Sequence, residues 1–420
     1  MNELPREILH RIFEFTDFRV LIDLYPIFHD QHGLLECIKS VIFETVEISD
    51  DETEIEFINI GSDDLRIRLS NVVISTKELD KLKRLEKYIK EAGINKCDRT
   101  SLSQVSKVLT DLRYLKKLST DKRLCLARSL VEIEIPWEED LPICGDNDSL
   151  EKLVLTRGVS TLSTRFKPHD YHFPQLKSFE GRLSFGNLVG KQWVGYPNLE
   201  SLKITFSIRP TFTLNDVNSK YFPKLQRLTI LDAQASWFRE FPGDQGTVMI
   251  GNIDIQSLVY LESSGTPDAE GWKWDSLRNL RELVWTIGKL TDFEKICRSL
   301  PKLERVSFRN TKEGMASMKC LQHLKKLEYL ELIDQGIENI EGVDGLSNLK
   351  ELCLESNRIE KIENLQKSSK LKKLILNNNR ISRIGNLGYL ENLQVLDVSK
   401  NYISEAGELR KFSNLVRLSI

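Results

Sequence analysis

His169, Asp170 and His172 stand close together in the string HDYH, two imidazoles and a carboxylate near the spacing that a bound metal ion uses. A tetrahedral site needs three or four good ligands. No further ligand follows close in the sequence, so no metal is expected. The seven cysteines (Cys37, Cys97, Cys125, Cys144, Cys297, Cys320, Cys353) are odd in number, widely scattered and never spaced C-x-x-C. That pattern disfavours both a disulfide framework and a zinc cage. Phosphate-loop, dinucleotide, nucleophile-elbow and zinc-protease strings are all absent. The chain is therefore expected to bind rather than catalyse, as a non-enzyme without a cofactor.

Charge narrows what is bound. Sixty Lys plus Arg against sixty-two Asp plus Glu leave a net charge of -2, which gives no bulk electrostatic reason to hold nucleic acid or an anionic membrane. A local basic run at Lys116, Lys117, Lys122 and Arg123 reads either as a solvated face or as a site for an anionic partner. The opening Met1-Asn2-Glu3 lacks the order of a secretory signal, and no apolar run is long enough to span a bilayer. The expectation is an intracellular chain, cytoplasmic, nuclear or both.

The elements that would position binding residues follow from periodicity. At 420 residues the chain is roughly two to three times a single domain, hence multidomain or a stacked array. Leu327, Leu349, Leu371, Leu393 and Leu415 are each 22 residues apart, and each opens the pattern L-x-x-L-x-[LVI]. Such a period means stacked repeats. In LKELCLESNRIEKIENL the residues Leu349, Leu352, Leu354, Ile359, Ile362 and Leu365 are placed inward, and the unit from Leu371 repeats this. Alternation along L-x-L sends the leucines into the core and the x positions to solvent. Asn357, Asn379 and Asn401 fall just after each strand, where an amide can satisfy backbone groups of its own turn and its neighbour.

The pattern is that of a leucine-rich repeat, and the regular end resembles the 22-residue repeats of phosphatase-regulating proteins. The expected fold is α/β, a solenoid with a parallel sheet on its concave face and short helical or 3₁₀ turns on the convex side. Less regular copies run backward at Leu303/Val306/Phe308, Leu280/Leu283/Trp285, Leu225/Leu228/Ile230, Leu199/Leu202/Ile204, Leu176/Phe179, Leu150/Leu153/Leu155 and Leu130/Ile133/Ile135, with a weaker one from Leu258. In four of them, Pro174, Pro197, Pro223 and Pro301 stop the convex segment and feed a strand. On the concave face of the regular end the exposed strand positions are Tyr329, Glu331, Ile333, Glu351, Cys353, Glu355, Lys373, Ile375, Asn377, Val395, Asp397 and Ser399. Their mixture of charge signs favours a protein partner over a polyanion.

Aromatics punctuate the insertions. Trp237, Phe238 and Phe241 in ASWFREFPGDQG, and Trp272 and Trp274 in EGWKW, read either as packing on the convex flank or as partner contacts. At the far end, Leu415, Leu418 and Ile420 leave an open apolar edge inside a strand, to be continued by further chain or covered by an earlier segment, a second copy or a partner; if it is the natural end and alone, concentration-dependent association is expected.

At the other end, Leu4, Ile8, Leu9, Ile12 and Phe13 recur at helical spacing behind Pro5 and Glu7. Two further apolar segments, VLIDLYPIF and LLECIKSVIFETV, complete a module of roughly 45 residues, marginal for folding alone. This opening resembles an F-box at Leu4, Pro5, Glu7, Ile8, Leu9, Ile12 and Phe13, with Leu21, Asp23 and Leu24 similar to the family's next helix. The family's later cysteine and tryptophan are missing. An F-box ahead of leucine-rich repeats is the architecture of substrate receptors in SCF ubiquitin ligases. The resemblance implies that Leu4, Pro5, Ile8, Leu9, Ile12, Phe13, Leu21 and Leu24 dock on a Skp adaptor, and through it the cullin complex, while the repeats hold a protein substrate. The alternatives are a helical cap on the solenoid, and a scaffold for a phosphatase, GTPase or kinetochore partner without any ligase.

The expected organisation is thus an F-box-like helical module over 1–48, a helical bridge and start of the solenoid over 49–126, irregular repeats over 127–325 and regular repeats over 326–420. In the bridge, one helical stripe is Leu79, Leu82, Leu85 and Ile89, and another is Leu102, Val105, Val108, Leu112 and Leu115.

Overall fold

The computed structural model describes residues 46–48, 67–69, 73–74, 89–94, 96–97, 117–120, 130–137, 147–157, 172–183, 188–189, 193–206, 212–215, 217–232, 248–250, 253–264, 272–286, 293–309, 317–385, 387, 389–404 and 414–420. The chain divides into two compact units, Met1–Phe166 with Asp170–Leu176, and Lys167–His169 with Lys177–Ile420.

In the first unit six strands form a parallel ladder in chain order: β1 (Val46–Ile48), β2 (Ile67–Leu69), β3 (Ile89–Ile94), β4 (Lys117–Thr120), β5 (Glu132–Trp137) and β6 (Lys152–Arg157). Leu130, Ile133, Leu150, Leu153 and Leu155 are buried beneath it. Strands β2, β3 and β4 cross the segment expected as a helical bridge. Ile89 opens a strand instead of ending a helical stripe. A run of apolar residues at spacing three suits a helix and a solenoid turn alike, and the parallel neighbour at Ile67 decides for the strand. Leu79, Leu82, Leu85, the stripe from Leu102 to Leu115, and residues 4–24 lie outside the described residues.

In the second unit eleven described strands continue the pattern: β7 (Ser178–Leu183), β8 (Ser201–Phe206), β9 (Arg227–Asp232), β10 (Tyr260–Ser264), β11 (Glu282–Thr286), β12 (Arg305–Arg309), β13 (Tyr329–Ile333), β14 (Glu351–Cys353), β15 (Lys373–Ile375), β16 (Val395–Asp397) and β17 (Arg417–Ser419). Each pairs in parallel with the next in sequence, so Leu202, Leu228, Leu261, Leu283, Val306, Leu330, Leu352, Leu374 and Leu396 share one register position. All of them are buried. The register is fixed before each strand begins, because one carbonyl accepts two successive N–H groups of the next repeat. Glu328 O takes Lys350 N and Glu351 N at 2.8 and 3.1 Å, and Lys350 O takes Lys372 N and Lys373 N at the same distances. A one-residue slip would turn every leucine to solvent.

Among the described residues the chain returns behind the sheet through short turns: 3₁₀ at Trp274–Leu277 and Lys319–His323, and a helix, α1 (Phe293–Ser299). The prolines act one step earlier than their string suggests. The residue before each is buried, and its carbonyl accepts the N–H three residues on, as in Leu176 N to Phe173 O (3.1 Å) and Leu303 N to Leu300 O (3.2 Å). Proline therefore occupies the first central position of a closed turn, which its fixed φ suits. Trp272 and Trp274 are core residues, 2% and 1% exposed, clustered with the fully buried Trp285 at ring separations of 5.1 to 6.3 Å. Trp237, Phe238 and Phe241 lie outside the described residues.

Two asparagine columns tie the repeats together. In the first, Asn357 Oδ1 accepts Gln335 N (3.0 Å) and Ile337 N (3.1 Å), while its Nδ2 donates to Leu332 O (2.7 Å) and Leu354 O (2.9 Å). Asn379 and Asn401 repeat the arrangement. The residue before each amide, Ser356, Asn378 or Lys400, holds a positive φ of 54 to 59°, the bend that aims the side chain back into the turn. The second column has no counterpart in the sequence reading: Asn279, Asn348, Asn392 and Asn414, one residue ahead of the first leucine, donate Nδ2 to a backbone carbonyl 23 residues earlier at 2.7 to 3.0 Å.

Candidate functional site

The solvent face of the second unit's sheet carries three side-chain columns set by the ladder. The first runs Arg227, Tyr260, Glu282, Arg305, Tyr329, Glu351, Lys373, Val395, Arg417. The second runs Thr229, Glu262, Val284, Ser307, Glu331, Cys353, Ile375, Asp397 by the same pairings. Arg309 and Ile333 are paired in the third, and the expected residues Glu355, Asn377 and Ser399 follow the strands in the next repeats, where their carbonyls accept Asp334 N, Ser356 N and Asn378 N. Of the twelve residues expected on the concave face, nine stand in these strands, and Glu355, Asn377 and Ser399 lie just beyond them. Eleven are at least partly exposed, and Glu331 is buried at 6%.

Glu331 is buried because three neighbours close over it. Its Oε1 accepts Ser307 Oγ–H (2.6 Å) and Arg309 Nε–H (2.5 Å), and its Oε2 accepts the Tyr329 hydroxyl (2.8 Å). Arg305 covers the other side of the tyrosine, with its guanidinium 4.2 Å from the ring centroid. Three strands earlier the same parts recur. Arg227 stacks on Tyr260 at 3.9 Å, Tyr260 donates to Glu262 Oε2 (2.8 Å), and Thr229 reaches the same oxygen at 3.4 Å. The sequence signal is a repeated pair of strings, RLT then YLE, and RVS then YLE. Single-repeat reading missed Arg227, Tyr260, Glu262, Arg305, Ser307 and Arg309 because partners 22 to 33 residues apart meet only across the ladder.

The electrostatics follow the contacts. Burial, then the hydrogen bond to Glu262, pushes the Tyr260 hydroxyl up to about 12, and the same causes push Tyr329 up. Burial pushes the Cys353 thiol up to about 11, so it is a protonated thiol at neutral pH. For Glu331, burial works to raise the carboxyl, but hydrogen bonds from Arg309, Ser307 and Tyr329 outweigh it and hold the group below the usual carboxylate range. A carboxyl lowered by folding stabilises the protein above its unfolded pKa of about 4.3, and that stabilisation is lost as pH falls through the folded value. The melting temperature of wild type should therefore fall more steeply than that of Glu331→Gln as pH is lowered from 5 through the acid range. Parallel profiles for the two proteins would show that Glu331 gains nothing from its neighbours.

The ladder, the inward leucines and the asparagine turns define a leucine-rich-repeat solenoid. A family model for leucine-rich repeats matches two copies at residues 369–411. Among solved structures, the chain resembles TLR13 in its complex with the RNA ssRNA13, at 17% identity and a TM-score of 0.52 over 89% of this chain and 57% of that one. It also resembles the functional domain of InlJ from Listeria monocytogenes, at 14% identity and a TM-score of 0.50 over 91% of this chain and 69% of that one. The chain thus spans little more than half the length of the TLR13 chain, and at these identities the likeness is one of fold. No curated protein matches the sequence. No helix among the described residues is long and apolar enough to cross a membrane. The residues expected to dock an adaptor, Leu4, Pro5, Ile8, Leu9, Ile12, Phe13, Leu21 and Leu24, lie outside the described residues, as do His169 and Asp170.

Proposed function

We propose that the chain is a non-catalytic receptor that holds a protein partner on the solvent face of its repeat sheet and presents it to a ubiquitin ligase. The observation that supports the protein-binding half is the composition of that face: cations, carboxylates, tyrosines and aliphatics in register, half-buried and prearranged by their own hydrogen bonds. A surface of both signs with aromatic anchors suits a protein. A polyanion is disfavoured, because Glu262, Glu331 and Asp397 occupy its middle column.

The ligase half rests on the amino-terminal string, in which Leu4, Pro5, Glu7, Ile8 and Leu9 match an F-box ahead of the repeats. In this reading the apolar stripe docks on a Skp adaptor, which bridges to the cullin complex, in the cytoplasm or the nucleus. Co-expression with a tagged adaptor tests it. Wild type should co-purify with adaptor and cullin, and a Leu4→Ala, Pro5→Ala, Ile8→Ala variant that still melts cooperatively should not. Wild type that is soluble and unbound removes the ligase half and leaves a repeat scaffold. Adaptor without cullin leads to the same scaffold.

A further inference from the structure

The first column of the sheet face has an order that neither the repeat fold nor a generic protein-binding role requires. Positive, aromatic and negative residues alternate with a period of three strands: Arg227, Tyr260, Glu282, then Arg305, Tyr329, Glu351, then Lys373. Lys373 answers its neighbour Glu351 at 3.7 Å. Arg227 and Arg305 are different. Both are exposed, both sit over a tyrosine ring, and neither has a carboxylate within ion-pair distance among the described residues. Glu282 stands directly beside Arg305 in register but forms no ion pair with it, while Glu262 and Glu331 in the next column accept hydroxyl groups, and Glu331 also accepts Arg309. Contact with the ring restrains each guanidinium while the side chain stays exposed to solvent. That is a prearranged fork for a carboxylate, with less side-chain entropy left to lose on binding.

Spacing then limits the ligand. Adjacent strands lie about 4.8 Å apart, so the two forks are separated by three steps, about 14 Å. An extended peptide rises about 3.3 Å per residue and returns to the same face every second residue, so residues i and i+4 span about 13 Å on one face. A helix needs about nine residues to cover that distance, and nine residues at 100° each place the two ends on opposite faces. Glu282, between the forks in the column, favours a neutral or basic residue between the two acids.

Resting on the reading that this face holds a protein, we propose that it recognises an extended segment of the partner that crosses the strands and seats acidic side chains at i and i+4 on Arg227 and Arg305.

The test uses the full chain and fluorescein-labelled peptides read by anisotropy at low ionic strength. The probe is TETKTET, with TETKETT, whose acids are at i and i+3, and TQTKTQT as controls. TETKTET should bind about tenfold more tightly than either control. Arg227→Gln with Arg305→Gln should erase that difference in a chain that still melts cooperatively. Equal binding of all three peptides, no binding of TETKTET, or undiminished binding to the double variant overturns the inference.

A second arm separates this failure from failure of the face itself, using the partner protein captured through the adaptor and the variant Ile375→Arg. A partner that ignores the double glutamine variant but is lost with Ile375→Arg overturns the acidic-segment inference and keeps the face. A partner indifferent to both variants removes the face as well.

Discussion

Asn379→Ala should cost about 4 kcal/mol of stability, because it orphans at least two buried backbone groups at about 1 to 3 kcal/mol each. The amide oxygen accepts Ile359 N (3.0 Å), and the amide nitrogen donates to Leu354 O (2.8 Å), Leu376 O (3.0 Å) and Asn377 O (3.4 Å). Asn379 is 6% exposed, so water cannot stand in for the amide. Two of these bonds cross to the preceding repeat, whose fold then loses its own closure. Stability in such arrays is a sum of repeat and interface terms, so the loss should unfasten the repeats on both sides of the substituted turn. Asn401→Ala breaks the same set of bonds but at a half-buried position, and should cost about 1 kcal/mol. Urea unfolding followed by circular dichroism measures both. Equal costs at the two positions would mean that burial does not set the penalty.

Trp285→Ala should destabilise the middle of the second unit by about 3 to 5 kcal/mol through the cavity it leaves. The side chain is fully buried, packs edge-on against Trp272 at 5.4 Å, and stands in register between Ser263 and Phe308. Ser263 is a small neighbour in the inward column, beside the large indole. The Trp285 N–H, the Trp272 N–H and the Ser263 hydroxyl have no hydrogen-bond partner among the described residues. Trp285→Phe therefore removes an unsatisfied donor while keeping most of the ring, and should cost less than about 1.5 kcal/mol. A phenylalanine variant as unstable as the alanine variant would show that the indole N–H is bonded after all.

For the proposed receptor, the division of labour between these parts matters. The asparagine turns and buried tryptophans hold the strands in register, and register alone brings Arg227 to Tyr260 or Arg305 to Tyr329. A variant that loosens the ladder should thus weaken partner binding without touching the binding face. Affinity loss in Asn379→Ala is consequently no evidence that Asn379 contacts a partner.

By itself the sequence determined the repeat: a 22-residue period, leucines facing inward, solvent positions between them, and asparagines closing the turns. These are legible because each depends on residues within one repeat, and strand alternation and turn chemistry act over two to six residues. Ile89 was assigned to a helical stripe for the same reason, since apolar spacing of three fits both a helix and a solenoid turn until a neighbouring strand selects one. Tertiary structure alone decided the second asparagine column, the burial of Glu331 and the stacked Arg and Tyr pairs. Their members are 22 to 33 residues apart, and insertions of unequal length hide any fixed period between them. Only parallel hydrogen bonding, which counts strands and ignores the length of the loops between them, makes those residues neighbours.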